Sequence, residues 1–198
     1  MKLFLSLALG LLLTAPPALA ATTTWQIDND HTLAQFKVQH LVIAHVRGTF
    51  SKIQGTVVID EQDPTKSKVD VTIDARSIDT NVEKRDAHLK SPDFLDVEKF
   101  PTITFKSKAI KQGAGGRLNM LGDLTIHGVT KEVELLVTGP TATITDPWGN
   151  QRKGAQATTR INRKDFGLTW NKMMETGGVV VGDDVEITIE TELIKQPG

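Results

Sequence analysis

Between residues 83 and 105 the chain reads EKRDAHLKSPDFLDVEKFPTITF, its densest run of side chains able to do chemistry. Arg85 and His88 stand three apart, so a helix turns both to one side. Asp93 and Asp96 follow at once. A histidine beside carboxylates can move protons near neutral pH. The same groups, joined by His40, could instead form a hydrogen-bonded network that only fixes geometry. A metal site is the third chemistry. His40 and His45 are five apart, and with His88 they could supply three imidazoles. No HExxH or similar spacing supports that, and no metal or other cofactor is expected. Nucleophilic catalysis has less support still. The chain has no cysteine, no GxSxG and no triad spacing.

These residues need a scaffold, and the rest of the chain supplies one. Eight segments alternate apolar and polar residues with period two: 34–40, 53–59, 69–75, 103–108, 118–126, 133–137, 155–161 and 185–193. One dry face per strand marks an antiparallel sheet over a single core. Asp63-Pro64, Gly113 to Gly116, His127-Gly128 and Pro147 to Asn150 supply turns of hairpin length. The expectation is all-β: a closed eight-stranded up-and-down barrel, with a two-sheet sandwich as the alternative. Two segments break the alternation. Leu41 to Arg47 has no clean period. Residues 80–91 read as one short helix insert, opened by a capping box from Thr80 to Glu83 and stopped at Ser91-Pro92.

The first twenty residues read as an export signal. Met1-Lys2 is the positive start, Leu3 to Leu13 the apolar run, and Ala18-Leu19-Ala20 the cleavage site. Cleavage after Ala20 leaves residues 21–198 as one domain, with the periplasm as the expected address. No later apolar segment is long enough to cross a bilayer as a helix. Lys and Arg total 23 against 24 Asp and Glu, so no nucleic-acid footprint is present.

An eight-stranded barrel is wide enough either to be filled by side chains or to hold one slim ligand. Several expected inward positions are small: Ala34, Gly55, Ala75, Gly122, Ala155 and Ala157. They favour an elongated apolar cavity over a solid core. The expected walls are Phe36, Val38, Phe50, Val57, Val71, Ile73, Phe105, Met120, Leu124 and Ile187. Such a lumen selects a long hydrocarbon by burial and needs no catalytic group. Arg85 and His88 could then meet a polar lipid head. Met173, Met174 and Trp170 form a loop suited to lipid contact or to ordinary packing.

Several ordered motifs carry a resemblance. Arg85-Asp86-Ala87-His88-Leu89 runs through Ser91-Pro92-Asp93-Phe94-Leu95-Asp96 to Phe100-Pro101. Asp30-His31-Thr32, Phe36 to Leu41 and Gly48-Thr49-Phe50 precede it. Gly122 to Thr130 and Asn162-Arg163-Lys164-Asp165-Phe166-Gly167-Leu168 follow. Over roughly Trp25 to Lys195 the chain resembles the YceI-like family of periplasmic, lipocalin-like, polyisoprenoid-binding proteins. The resemblance implies an extended antiparallel barrel with a helix and an isoprenoid chain in its lumen. The expectation is a non-enzymatic lipid binder that carries, stores or senses a prenyl phosphate or an isoprenoid quinone, with a homodimer left open. The alternatives are a periplasmic enzyme with histidine and carboxylate at the barrel mouth, and a structural protein with a filled core.

Overall fold

The computed structural model describes residues 22–175 and 177–197; the expected export signal lies outside the described residues. In chain order the strands are β1 (Thr22–Ile27), β2 (Leu33–His40), β3 (Ala44–Phe50), β4 (Ile53–Asp60), β5 (Lys68–Asp74) and β6 (Ile78–Asp79). After helix α1 (Glu83–Lys90) come β7 (Thr102–Gln112), β8 (Leu118–Ile126), β9 (Val129–Thr138), β10 (Ile144–Thr145), β11 (Gln151–Asn162) and β12 (Val181–Lys195).

The longest strand closes the sheet. On one side β12 pairs with β11, from Arg152↔Ile194 to Asn162↔Asp184. On the other it takes β2 between residues 181 and 190, then β1 between 193 and 195. From β1 the pairing runs through β4, β5, β7, β8 and β9 and returns to β11, all antiparallel. This is the closed eight-stranded barrel, not a sandwich. Outside the ring, β3 and β6 continue the sheet from β2, and β10 borders β11.

Alternation located most of the ring because each strand has one dry face. On β8 the burial alternates residue by residue from Leu118 to Ile126. Two strands escaped it. In β1 only Trp25 is fully buried. In β3, whose first four residues fall in the stretch expected as irregular, the middle inward residue is Gly48, which carries no side chain to mark the face. Its space is filled by the Phe36 ring and by Thr80. The irregularity is confined to the β2–β3 turn, where Leu41 and Val42 both take positive φ.

The helix also differs from expectation. It begins at Glu83, and its N-cap, Val82, makes no side-chain cap. The box from Thr80 to Glu83 does not form, because the Thr80 hydroxyl donates to Asp86 instead. Its end is as expected: Ser91 donates its N–H and its hydroxyl to the His88 carbonyl, and Pro92 follows.

The small inward residues divide into two kinds. Ala34, Ala155 and Ala157 leave open space in the barrel. Gly55 and Gly122 do not, because neighbours occupy the room. A Cβ at 122 would overlap the Phe105 ring and come within 2.6 Å of the Lys106 carbonyl oxygen. Ala75 is buried but opens a 3-10 turn rather than lying on a strand. Gly122→Ala is therefore expected to destabilise the barrel by about 1–3 kcal/mol, the usual penalty of overpacking. Phe105→Leu in the same chain should restore part of the loss, as urea denaturation of the single and double variants would show.

Candidate functional site

The barrel encloses an apolar cavity of about 300 Å³ that follows the lumen. All of the expected wall residues line it: Phe36, Val38, Phe50, Val57, Val71, Ile73, Phe105, Met120, Leu124 and Ile187. Along β12 the wall runs from Val181 to Leu193. Those thirteen residues of strand span about 40 Å, so the cavity is long rather than round. Arg163 is the only charged side chain among its described wall residues.

One end is closed by the helical insert. Leu89 from α1, with Phe94 and Leu95 from the loop after it, faces the cavity, as does Leu168. Phe94, Leu95 and Val97 are buried. The charged residues of this segment serve to hold it in place. Arg85 donates to the Thr80 hydroxyl at 2.7 Å and to the Thr80 carbonyl at 2.9 Å. Asp86 accepts from the Thr80 N–H at 2.9 Å. His88 pairs with Asp93 at 2.8 Å.

The single network expected from His40, Arg85, His88, Asp93 and Asp96 is therefore not present. It is split into a Thr80–Arg85–Asp86 cluster and a His88–Asp93 pair. Asp96 contributes through its backbone. It takes φ 44°, and its carbonyl accepts from the N–H groups of Lys99 and Phe100. His40 stands at the end of β2, opposite Ala44 and Val181, and makes none of these bonds.

Trp170 is the missing partner of this closure. Its ring meets His88 edge-on at 4.8 Å between centroids and lies 5.1 Å from Phe94. His88 in turn meets Phe94 at 5.0 Å. The three rings tie the insert to the loop before β12. Met173, by contrast, points outward and is 72% exposed.

Arg163 holds that loop. It is 3% exposed and donates to the carbonyls of Leu168, Trp170 at 2.9 Å and Gly182 at 2.8 Å. Burial pushes its guanidinium below the ordinary arginine range, with Asp183 acting in the opposite direction. It remains a cation, because arginine does not deprotonate in proteins. Its sequence signal was parity. The inward positions of β11 are the odd ones from 155 to 161, and two further residues reach Arg163. The same count backward reaches Lys153, which is 8% exposed.

His40, His45 and His88 do not come together as metal ligands. Ligand atoms of Asp28, His31 and Glu192 do lie within 4.8 Å of one another. Arg152 already supplies the positive charge there. It bridges Asp28, Asp146 at 2.7 Å and Glu192 at 2.9 Å on the outer face of the barrel. Arg152 holds the Asp146 carboxyl well below the usual range. At Asp28 burial pushes upward, but hydrogen bonds from Arg152 and His31 outweigh it and the net shift is downward.

A YceI-like domain model matches residues 25–193. The chain belongs to the YceI-like family. It is 38% identical over 191 residues to Protein YceI of Salmonella newport, an alignment that covers 94% of each chain. Among solved structures it is similar to Campylobacter jejuni YceI. The TM-score is 0.68 and the identity 29%, over 81% of this chain and 91% of that one. Burkholderia cenocepacia BcnA shares the fold at a TM-score of 0.71 and 22% identity, over 84% and 98% of the two chains. So does a polyisoprenoid binding domain from Saccharophagus degradans implicated in plant cell wall breakdown. Its TM-score is 0.63 and its identity 14%, over 88% and 99%. Among the described residues of this YceI-like chain, no helix is long and apolar enough to cross a membrane.

A double-mutant cycle on His88→Ala and Trp170→Ala should return a coupling of about 0.5–1.5 kcal/mol, the range for aromatic pairs, and either variant should speed amide exchange over residues 88–97. Arg152→Gln tests the outer-face cluster through pH. Asp28 and Asp146 titrate below their ordinary value of 3.8. The stability they contribute is therefore present above about pH 4 and lost as pH falls through their folded values. The urea midpoints of wild type and Arg152→Gln should differ most at neutral pH and draw together progressively as pH falls below about 4.

Proposed function

We propose that this protein is a periplasmic lipid-binding protein that holds one long polyisoprenoid chain in the barrel lumen. The observation that carries the reading is the cavity: elongated, walled by apolar side chains, and closed at one end by Leu89, Phe94 and Leu95. Burial returns about 0.8 kcal/mol per methylene, while association costs about 4–15 kcal/mol before any net affinity appears. Short chains do not recover that cost and long ones do. The name of the Saccharophagus domain points to the same ligand class.

A binding role, not catalysis, fits the walls. Arg163 faces the cavity, but its donors are engaged by backbone carbonyls. His88 and Asp93 pair with each other, and His88 is packed between Phe94 and Trp170. The export signal read in residues 1–20 supports a periplasmic address. Carriage, storage and sensing all use the same grip on the chain.

The mature protein should be purified natively, extracted with organic solvent and analysed by mass spectrometry. A long-chain isoprenoid in stoichiometric amount is the expected result. An empty protein that also takes up no added prenyl chain contradicts the proposal. Turnover of the extracted lipid, abolished by His88→Ala, would transfer the reading to an enzyme.

A further inference from the structure

Two turns extend beyond the last paired residues of β2 and β12, His40 and Val181, and both carry apolar side chains into solvent. Val42 and Ile43, in the turn from β2 to β3, are 58% and 85% exposed. Met173, which bridges to Val179 in the hairpin before β12, is 72% exposed. The two turns form one patch. The Leu41 N–H donates to the Val180 carbonyl at 2.9 Å. A Cβ added at Gly178 would meet Met174 at 3.3 Å and Val42 at 3.6 Å. The base of the hairpin is fixed, because the Asn171 side chain donates to the Val181 carbonyl at 2.6 Å and accepts from the Val181 N–H at 3.1 Å.

The turn from β2 to β3 is built of residues that such a turn ordinarily excludes. The Ile43 N–H donates to the His40 carbonyl at 3.2 Å, and the two residues between them, Leu41 and Val42, take φ 54° and 64°. Positive φ at both central positions is the type I′ pattern, which asparagine and glycine fill readily. For a β-branched valine it is a costly conformation. An exposed valine in a strained turn gives the isolated protein neither core burial nor backbone ease. Strain of this kind persists where a function uses the side chain.

Shape and charge identify what covers the patch. Val42, Ile43 and Met173 together expose about half of the roughly 800 Å² that each partner of a stable dimer buries. Two convex turns leave little room to widen a contact with a protein. A bilayer sets no such minimum area, since each apolar side chain gains on leaving water by itself. Arg47 and Lys172 stand exposed beside the turns, and Glu175 is the one carboxylate within residues 39–47 and 171–179. The balance is positive, which suits anionic lipid heads.

We propose that these two turns are a membrane-docking surface, which seats Val42, Ile43 and Met173 among the lipid heads of an anionic bilayer. Docking goes beyond the lumen reading and stands without it. It sets the barrel with its insert end toward the membrane, because Trp170, packed on His88 and Phe94, comes three residues before Met173.

The test uses the mature full chain and vesicles of phosphatidylethanolamine and phosphatidylglycerol that contain no prenyl lipid, read by flotation. Wild type should float with these vesicles at low salt, and less at high salt or with phosphatidylcholine alone. Val42→Gly combined with Ile43→Ser should weaken binding at least tenfold in a folded protein, since glycine accepts the positive φ at 42. Met173→Ser leaves that turn untouched and should also weaken binding, which keeps the test open if the double variant does not fold. Trp148→Ala, at a side chain 80% exposed beside the opposite end of β11, should bind as wild type does. A wild type that stays with the soluble fraction overturns the proposal, as does binding that survives both patch variants or is lost with Trp148→Ala. A dimer in sedimentation that the double variant disperses overturns it too, and assigns the patch to a second copy. None of these outcomes touches the lumen reading, which rests on the extracted ligand.

Discussion

Closure of the sheet by β12 on β11 is the constraint on which the other features depend. Eight antiparallel strands in a ring set a radius at which the interior can be either full or hollow, and the side chains then choose. Here the choice is local. Phe105 lies across Gly122 and Phe36 across Gly48, so glycine at these points admits a ring rather than a ligand. Ala34, Ala155 and Ala157, on the β2–β12–β11 wall, leave the space open. The cavity is thus a consequence of which small residues face a large neighbour and which do not.

The length of β12 has a second effect. It reaches past the ring to pair with β2, so the sheet extends beyond the closed barrel through β3 and β6. The chain passes from β6 almost directly into the α1 segment, whose Leu89, Phe94 and Leu95 complete the cavity wall. A helix as polar as α1 has little tendency to stand alone. It is held by Thr80, which ties Arg85 and Asp86 to the end of β6, and by Trp170, which packs on His88 and Phe94. Arg163 secures the Trp170 loop in turn. The charged motif that first suggests catalysis is, in this geometry, the fastening of a wall.

Much of this was legible in the residues, because period-two burial leaves a period-two pattern. Nine of the ten expected wall positions follow from parity; Phe50 stands in β3, outside the alternating segments. What was not legible depends on contacts between distant elements. Gly48 gives no sign in the sequence that Phe36 will fill its place. Thr80 looks like the start of a capping box with Glu83, and only the fold shows that Asp86 has taken its hydroxyl. His40 shares the inward parity of β2, yet the end of the strand carries it away from α1. Arg163 and Lys153 fall on the inward parity of β11, but a charged residue at a strand end reads as solvated until its burial is known.

The open space beside Ala157 is the part of the lumen that a bound prenyl chain would have to occupy. Ala157→Phe would fill that space from a strand position without touching the helix insert, Arg163 or Lys153. Affinity for a long prenyl chain, measured by fluorescence displacement on the lipid-free protein, should fall at least tenfold while the melting temperature holds or rises. Unchanged affinity in a folded Ala157→Phe protein would contradict the account, because the chain would then lie somewhere other than the lumen.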